Sequence, residues 1–422
     1  MCLIYLFLHI TIQANIMPHY HFKRLTSLEG LPCNDIQKIY QSPDGYIWLA
    51  SKNGFYRYDG YSFKTYKSNL YHPTLLSNNN ILCLEEDIEN RLWIGTDKGL
   101  NVLLRKTGEI KQIKRIEFIN NSISALRSTR NGKLFIGTDQ GLFCYDYNTD
   151  SCTLYNRQNT NGIFPETPVK SLLEDSHGHL WIGTWNQGLF RYDLAKNRFY
   201  AYPRMLPKSA HVIFEDSKKR IWIGTWGSGL YVLENAYDPD NVRWKSFSHE
   251  NGNAKSLPHD IIYSISEDIN SRNIWIGTSL GLSILNDESK GTFTNFYPSE
   301  KDETISDAEV TSLLCDKQGM MWIGMLRGGV NTVSTRKPFF KSYPMKGLKQ
   351  EFKTQTVSCI LIDKDNQTLW MVIGTSGLIK YNLHNHTWQK NTKRKILPFR
   401  IPYSFHHQND PPLQWGYLVW NL

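Results

Sequence analysis

The sequence predicts an all-β chain: a seven-bladed β-propeller of four-stranded blades, followed by an incomplete start of a second propeller. Three observations carry this. One five-residue phrase recurs at blade-sized intervals, short alternating segments fill each interval, and the composition favours strands joined by tight turns.

The phrase is Leu92-Trp-Ile-Gly-Thr96, Leu134-Phe-Ile-Gly-Thr138, Leu180-Trp-Ile-Gly-Thr184, Ile221-Trp-Ile-Gly-Thr225 and Ile274-Trp-Ile-Gly-Thr278. Variant copies are Ile47-Trp-Leu-Ala-Ser51, Met321-Trp-Ile-Gly-Met325 and the looser Leu369-Trp-Met-Val-Ile-Gly-Thr375. The aromatic stands at positions 48, 93, 135, 181, 222, 275, 322 and 370, so the spacing runs from 41 to 53 residues. That is the length of one propeller blade.

A single unit shows the parts. Val169 to Asp175 alternates as a first strand and Ser176-His-Gly178 is a turn. His179 to Thr184, Gly188 to Asp193 and Arg198 to Tyr202 follow as three more strands. Gly95, Gly137, Gly183, Gly224 and Gly277 lie inside second strands, where a missing side chain suits a bulge or a close backbone approach. Gly54, Gly99, Gly141, Gly188, Gly229, Gly281, Gly329 and Gly377 end the next turn, where a positive φ is expected. The recurring Trp is expected between neighbouring blades. Tyr20 to Leu25 reads as a fourth strand without its own blade, able to complete the last blade and close the ring.

Composition agrees. Hydrophobic residues make up 40% and charged residues 21%, an ordinary globular balance, while 13 Trp, 23 Tyr and 29 Gly favour β-structure with many turns. The net charge of +9 is concentrated at one end: Lys390, Lys393, Arg394, Lys395 and Arg400 face one acid, Asp410, leaving about +5 elsewhere. No long basic stripe remains, so nucleic acid is not an expected partner.

The apolar run from Cys2 to Ile16 is too short and polar to span a membrane. Two readings fit residues 1–16: a signal-peptide-like segment with Ala14 near a cleavage point, or a buried first strand. The seven cysteines contain no CxxC pair. Most sit in apolar stretches, but Cys144 and Cys152 flank Tyr147-Asn-Thr149 symmetrically about Asn148. A hairpin there sets them opposite each other, and a disulfide is expected in an oxidising compartment.

These residues together resemble the two-component regulator propeller repeat. The opening segment, with Glu29-Gly-Leu31, Asp44-Gly-Tyr-Ile-Trp48 and Tyr58-Asp-Gly60, is similar to the first blade of such sensors, and the likeness extends over about residues 20–383. The resemblance implies a periplasmic sensor region of a hybrid two-component system, usually two seven-bladed propellers and a β-sandwich, then a membrane helix and histidine kinase. It also implies glycan breakdown products as ligands, a possible homodimer through the propeller, and membrane attachment only through C-terminal regions missing here. No kinase phospho-acceptor region, ATP-binding box or second apolar run of membrane length occurs in this sequence. The organisation expected is therefore residues 17–343 as one propeller, 344–395 as an orphan first blade, and 396–422 as a non-repeat tail, either a truncation or frameshift product or an unusual cap.

Chemistry is sparse. Glu86-Asp87, Glu174-Asp175, Glu215-Asp216 and Glu267-Asp268 look like catalytic carboxylate pairs, but their recurrence in blade after blade marks them as turn formers. Ser42-x-Asp44-Gly-x-x-Trp48 resembles the structural Asp-box of sialidases. His19/His21 and His384/His386 share a strand face without an identifiable third ligand, so no metal is expected. HExxH, GxxxxGK[ST] and GxSxG are absent, and no catalytic residue or cofactor is expected.

Function is expected where the repeats diverge. The turn after the second strand carries Trp185, Asn186 and Gln187 in one blade, Trp226-Gly-Ser228 in the next, and Met325-Leu-Arg-Gly328 in another. Long joining loops (69–80, 156–167, 249–260 and 297–307) open on the same rim. Trp185 and Trp226 offer platforms for sugar rings, with Asn186 beside them and Arg327 placed for a carboxylate or sulfate. The sequence thus favours a non-catalytic, oligosaccharide-sensing propeller. A propeller scaffold for proteins and a propeller lyase with His, Arg and Glu converging at inner-strand ends are the alternatives.

Overall fold

The computed structural model describes residues 20–68, 75–130, 132–202, 209–299, 304–336, 357–363, 367–373, 377–384 and 387–390. The segment 1–16 and the tail 396–422 lie outside the described residues.

The described residues form eight antiparallel four-stranded sheets, and seven of them belong to the unit Met1–Lys337. Their inner strands are Ile36–Gln41, Ile81–Glu86, Ile123–Ser128, Val169–Glu174, Val212–Glu215, Ile262–Glu267 and Val310–Cys315, numbered here as sheets one to seven. Each inner strand packs on the next, and that of sheet seven packs on that of sheet one, so the seven close into a ring. Sheet seven takes its fourth strand from the other end of the unit. There β1 (Lys23–Leu25) lies along Val330–Ser334, pairing Lys23 with Thr332 and Leu25 with Val330. Phe22 and Tyr20 extend this closure by packing against Trp275 and Phe296.

The recurring indoles lie between successive sheets. Trp93, Trp181, Trp222 and Trp275 are fully buried. Trp93, for example, packs with Leu126, Ile136 and Phe143 of sheet three. What holds each indole is legible in the repeat. An aspartate six residues upstream ends the inner strand, and its buried carboxylate accepts the indole N–H: Asp87–Trp93 at 2.7 Å, Asp175–Trp181 at 2.8 Å, Asp216–Trp222 at 2.9 Å and Asp316–Trp322 at 2.8 Å. The same carboxylates accept backbone N–H groups of the turn, as Asp216 does from Lys218 and Arg220. Sheet one uses Ser42 for Trp48, and sheet three, with Phe135 and no indole N–H, carries Thr129 in place of the acid. In sheet six an extra residue separates Asp268 from Trp275. The carboxylate there takes Ser271 and Thr335 instead, and Trp275 Nε1 has no hydrogen-bond partner among the described residues.

The second-strand glycines permit the close packing of the ring. A Cβ at Gly183 would stand 2.4 Å from the carbonyl oxygen of Ala210, and one at Gly277 2.6 Å from that of Val310. Both carbonyls belong to the chain entering the next sheet, so only glycine admits the neighbour.

The second unit, Pro338–Leu422, contains the eighth sheet: Val357–Asp363, Thr368–Ile373, Gly377–Asn382 and Thr387–Lys390. Leu369, Met371, Ile379 and Tyr381 form its small core, while Ile360, Leu361 and Ile362 are exposed.

One expectation is corrected. Cys144 and Cys152 are both free thiols. The hairpin pairs Asp146 with Ser151, so it is centred between Asn148 and Thr149, half a residue beyond Asn148. Cys144 therefore pairs with Thr153, and Cys152 with Tyr145. A one-residue slip in register moves a side chain to the other face of the sheet. Cys144 packs into the core towards sheet four, and Cys152 against the core shared with sheet two.

Candidate functional site

Six of the seven inner strands carry a bulge at the same place, directly after their first residue. The bulged residues are Gln37, Leu82, Ser124, Lys170, Tyr263 and Thr311. His211 holds the equivalent position in sheet five, its N–H donating to Gly224 O at 2.9 Å. A bulge releases its residue from the ladder and re-aims the side chain. These seven residues have no common type, in contrast to the repeat around them.

Four of them reach the rim formed by the turns after the second strands and by the joining loops. Gln37 donates to Asn80 at 2.7 Å, and the Lys170 ammonium meets Asp139 at 2.9 Å. Lys170 also lies 5.9 Å from the Trp185 ring centre. His211 and Tyr263 pack edge-on against Trp226, at 5.2 and 5.6 Å between ring centres. Trp226 in turn contacts Trp185 at 5.4 Å, the two rings inclined by 57°. Tyr263 donates to Glu309 at 3.4 Å, and Glu309 accepts from Arg327 at 3.0 Å. The result is an unbroken arc from Asp139 in sheet three to Arg327 in sheet seven.

The expected platforms thus come together, and each indole is left about 40% exposed: 40% for Trp185 and 41% for Trp226. Hydrogen bonds fix the turns beneath them, the Trp185 N–H donating to Pro168 O and the Trp226 N–H to the Ser209 hydroxyl. Asn186 lies beside them, its side-chain oxygen taken by Thr167 at 2.8 Å. Arg327 is further round the ring, in sheet seven, and its guanidinium is already paired with Glu309. Lys170, His211, Tyr263 and Glu309 were not anticipated from the sequence. For Lys170, His211 and Tyr263 a signal was available: the bulge position at the head of the first strand is where otherwise similar repeats differ.

His211 is the least ordinary group of the arc. Its Nδ1 is buried without a hydrogen-bond partner among the described residues. Burial, with smaller contributions from the charges of Lys170 and Lys38, pushes its pKa down to about 4. The unfolded imidazole protonates near its ordinary value of 6.5, so between these values the unfolded chain binds the extra proton. This contribution to stability is whole above pH 6.5 and is lost as the pH falls towards 4. Thermal melts of His211→Gln are therefore expected to fall less between pH 6.5 and about 4.5 than those of the parent. Equal slopes would show that His211 titrates normally.

The opposite ends of the inner strands hold the paired acids. Glu215 accepts from the N–H and hydroxyl of Ser176 at 2.9 and 2.7 Å, and Glu267 from those of Ser217 at 2.8 and 2.6 Å. These two glutamates clasp the turn of the preceding sheet, while Asp87, Asp175, Asp216 and Asp268 hold their own turns. A cavity of about 360 Å³ opens at this end, lined in part by Tyr40, Glu85, Arg127, Ser128 and Glu174. Burial raises Glu85 to about 6, against the opposing pull of Arg127 and the Ser128 N–H. No group of three or more His, Cys, Asp or Glu able to hold a metal occurs among the described residues, and His19 and His386 lie outside them.

Comparison with known proteins matches this architecture. The family described as two component regulator propeller matches residues 30–53, 75–98, 163–186, 205–227 and 304–327. A histidine kinase of Formosa agariphila is 29% identical over 75 residues, 18% of this chain and 5% of that one. The extracellular domain of one B. thetaiotaomicron hybrid two-component system superposes with a TM-score of 0.66 at 23% identity, covering 88% of this chain and 49% of that domain. A second such domain gives 0.61 at 20% identity, over 86% and 46%. The chain therefore spans about half the length of the sensor domains it matches. Streptogramin B lyase has the same type of fold, with a TM-score of 0.57 at 13% identity over 75% of this chain and 97% of the enzyme. No helix among the described residues is long and apolar enough to cross a membrane. Five segments of the chain thus match the two-component regulator propeller repeat, and its fold is that of the extracellular domains of hybrid two-component systems.

Proposed function

We propose that the chain is a non-catalytic, extracytoplasmic sensor propeller that binds an oligosaccharide on the rim bearing Trp185 and Trp226. The observation that carries this reading is the arc itself: two half-open indoles, backed by His211 and Tyr263, gathered at positions where the repeats differ. Aromatic faces flanked by polar tips suit sugar rings, whose C–H faces are apolar and whose edges are hydroxylated. The fold shared with extracellular domains of hybrid two-component systems supports the sensor role and the compartment.

A lyase is the second reading, since a His, a Tyr and a Glu do meet at inner-strand ends here. Their proton affinities disfavour it. His211 is pushed down to about 4 and Tyr263 is raised by burial and Glu309, whereas general acid–base work is best served near the operating pH.

The test is a thermal-shift screen of the whole chain against defined oligosaccharides. A ligand at 100 times its Kd adds about 2.7 kcal/mol of stability. Trp226→Ala is expected to weaken binding by about 30-fold or more, the size of a central aromatic anchor, and to cut that stabilisation to about 0.9 kcal/mol or less while keeping its own melt. A ligand whose shift survives in Trp226→Ala places the site elsewhere.

A further inference from the structure

Resting on that reading, we infer that the rim site takes an uncharged saccharide, stacked on Trp185 and Trp226. Lys170 is engaged by Asp139 at 2.9 Å, and Arg327 by Glu309 at 3.0 Å. Asp307 adds a further carboxylate, accepting from the backbone N–H of Arg327 at 2.9 Å. Along the arc three carboxylates, Asp139, Asp307 and Glu309, thus stand against two cations, both already paired. Lys38, the other cation whose charge reaches His211, has Glu85 close enough to stabilise its charge.

A uronate or sulfate ester arriving here would have to take Lys170 or Arg327 from its partner. That exchange leaves a bare carboxylate beside the new anion, a repulsive pairing that selects against charged ligands. The groups that remain for a ligand are neutral ones: the open faces of Trp185 and Trp226, the latter held edge-on by His211 and Tyr263.

The experiment titrates the full chain by tryptophan fluorescence with two matched sets. One holds neutral gluco-, manno- and xylo-oligosaccharides; the other holds oligogalacturonides and sulfated galactan oligosaccharides. Each is run at about 50 and about 300 mM NaCl, since screening separates charge-driven binding from the rest. The expected result is binding of a neutral oligosaccharide with a Kd unchanged within about twofold between the two salts, and weakened about tenfold or more in Trp226→Ala. Asp139→Asn, which frees Lys170, is expected to raise affinity for the anionic set. An anionic oligosaccharide that binds the parent chain, weakens about tenfold at high salt and depends on Trp226 overturns this inference and leaves the sensor reading standing. Binding by neither set overturns both.

Discussion

Asp216→Ala is expected to lower the free energy of unfolding by about 3–5 kcal/mol, the cost of breaking a buried, multiply bonded charge. The carboxylate is 3% exposed and takes the Trp222 indole, the Arg220 guanidinium and two backbone N–H groups of its own turn. Its removal strands the indole N–H inside the contact between two sheets, while Arg220 keeps its bonds to Glu288. The chain supplies an internal control. Trp275 packs as Trp222 does but its N–H bonds nothing among the described residues, so Trp275→Phe loses ring volume alone, whereas Trp222→Phe also removes a bond to a buried carboxylate. Urea unfolding should rank the losses Asp216→Ala, then Trp222→Phe, then Trp275→Phe, the last two differing by about 1.5–3 kcal/mol. An Asp216→Ala loss below about 1 kcal/mol would mean that the repeated aspartate is only a turn former.

A chain beginning at Ser27 is expected to lose its cooperative unfolding transition. It lacks β1, which completes sheet seven, and Phe22, whose buried ring alone is worth about 3–5 kcal/mol. It also leaves Val330–Ser334 as an open edge, the type of edge that pairs with other chains. Circular dichroism melts read the first effect and size-exclusion chromatography the second. An unchanged melt would show that the ring closes without this strand.

The scaffold could be read from the sequence because its determinants are local and repeated. The six-residue step from Asp to Trp, and the glycine two residues after the Trp, report the same contact several times over. Even the exceptions obey one rule: Thr129 accompanies Phe135, and the added residue after Asp268 disconnects Trp275. Register at a hairpin is less forgiving. Symmetry about Asn148 was half a residue short of the true centre, and that sufficed to send two cysteines to opposite faces. The rim was legible only in part. Trp185 and Trp226 stood out as aromatics in turns, but the bond from Tyr263 to Glu309 and the meeting of His211 with Tyr263 join different sheets. Nothing local encodes those pairings; the closed ring makes them.

The bulge at the head of six inner strands, with the matching position in sheet five, divides labour within the repeat. The residues around it hold sheet to sheet, so substitutions there are paid for in stability. The bulged residue belongs to no ladder pair. In sheets three and seven it still serves the scaffold, as Ser124 and Thr311 donate to Val169 O and Ile36 O of the next sheet. At Gln37, Lys170, His211 and Tyr263 it instead faces outward contacts at the rim. Descendants of one ancestral ring can therefore exchange these few side chains and acquire new tastes while inheriting an untouched frame. Divergence in what is sensed then needs no remodelled loop and no altered blade.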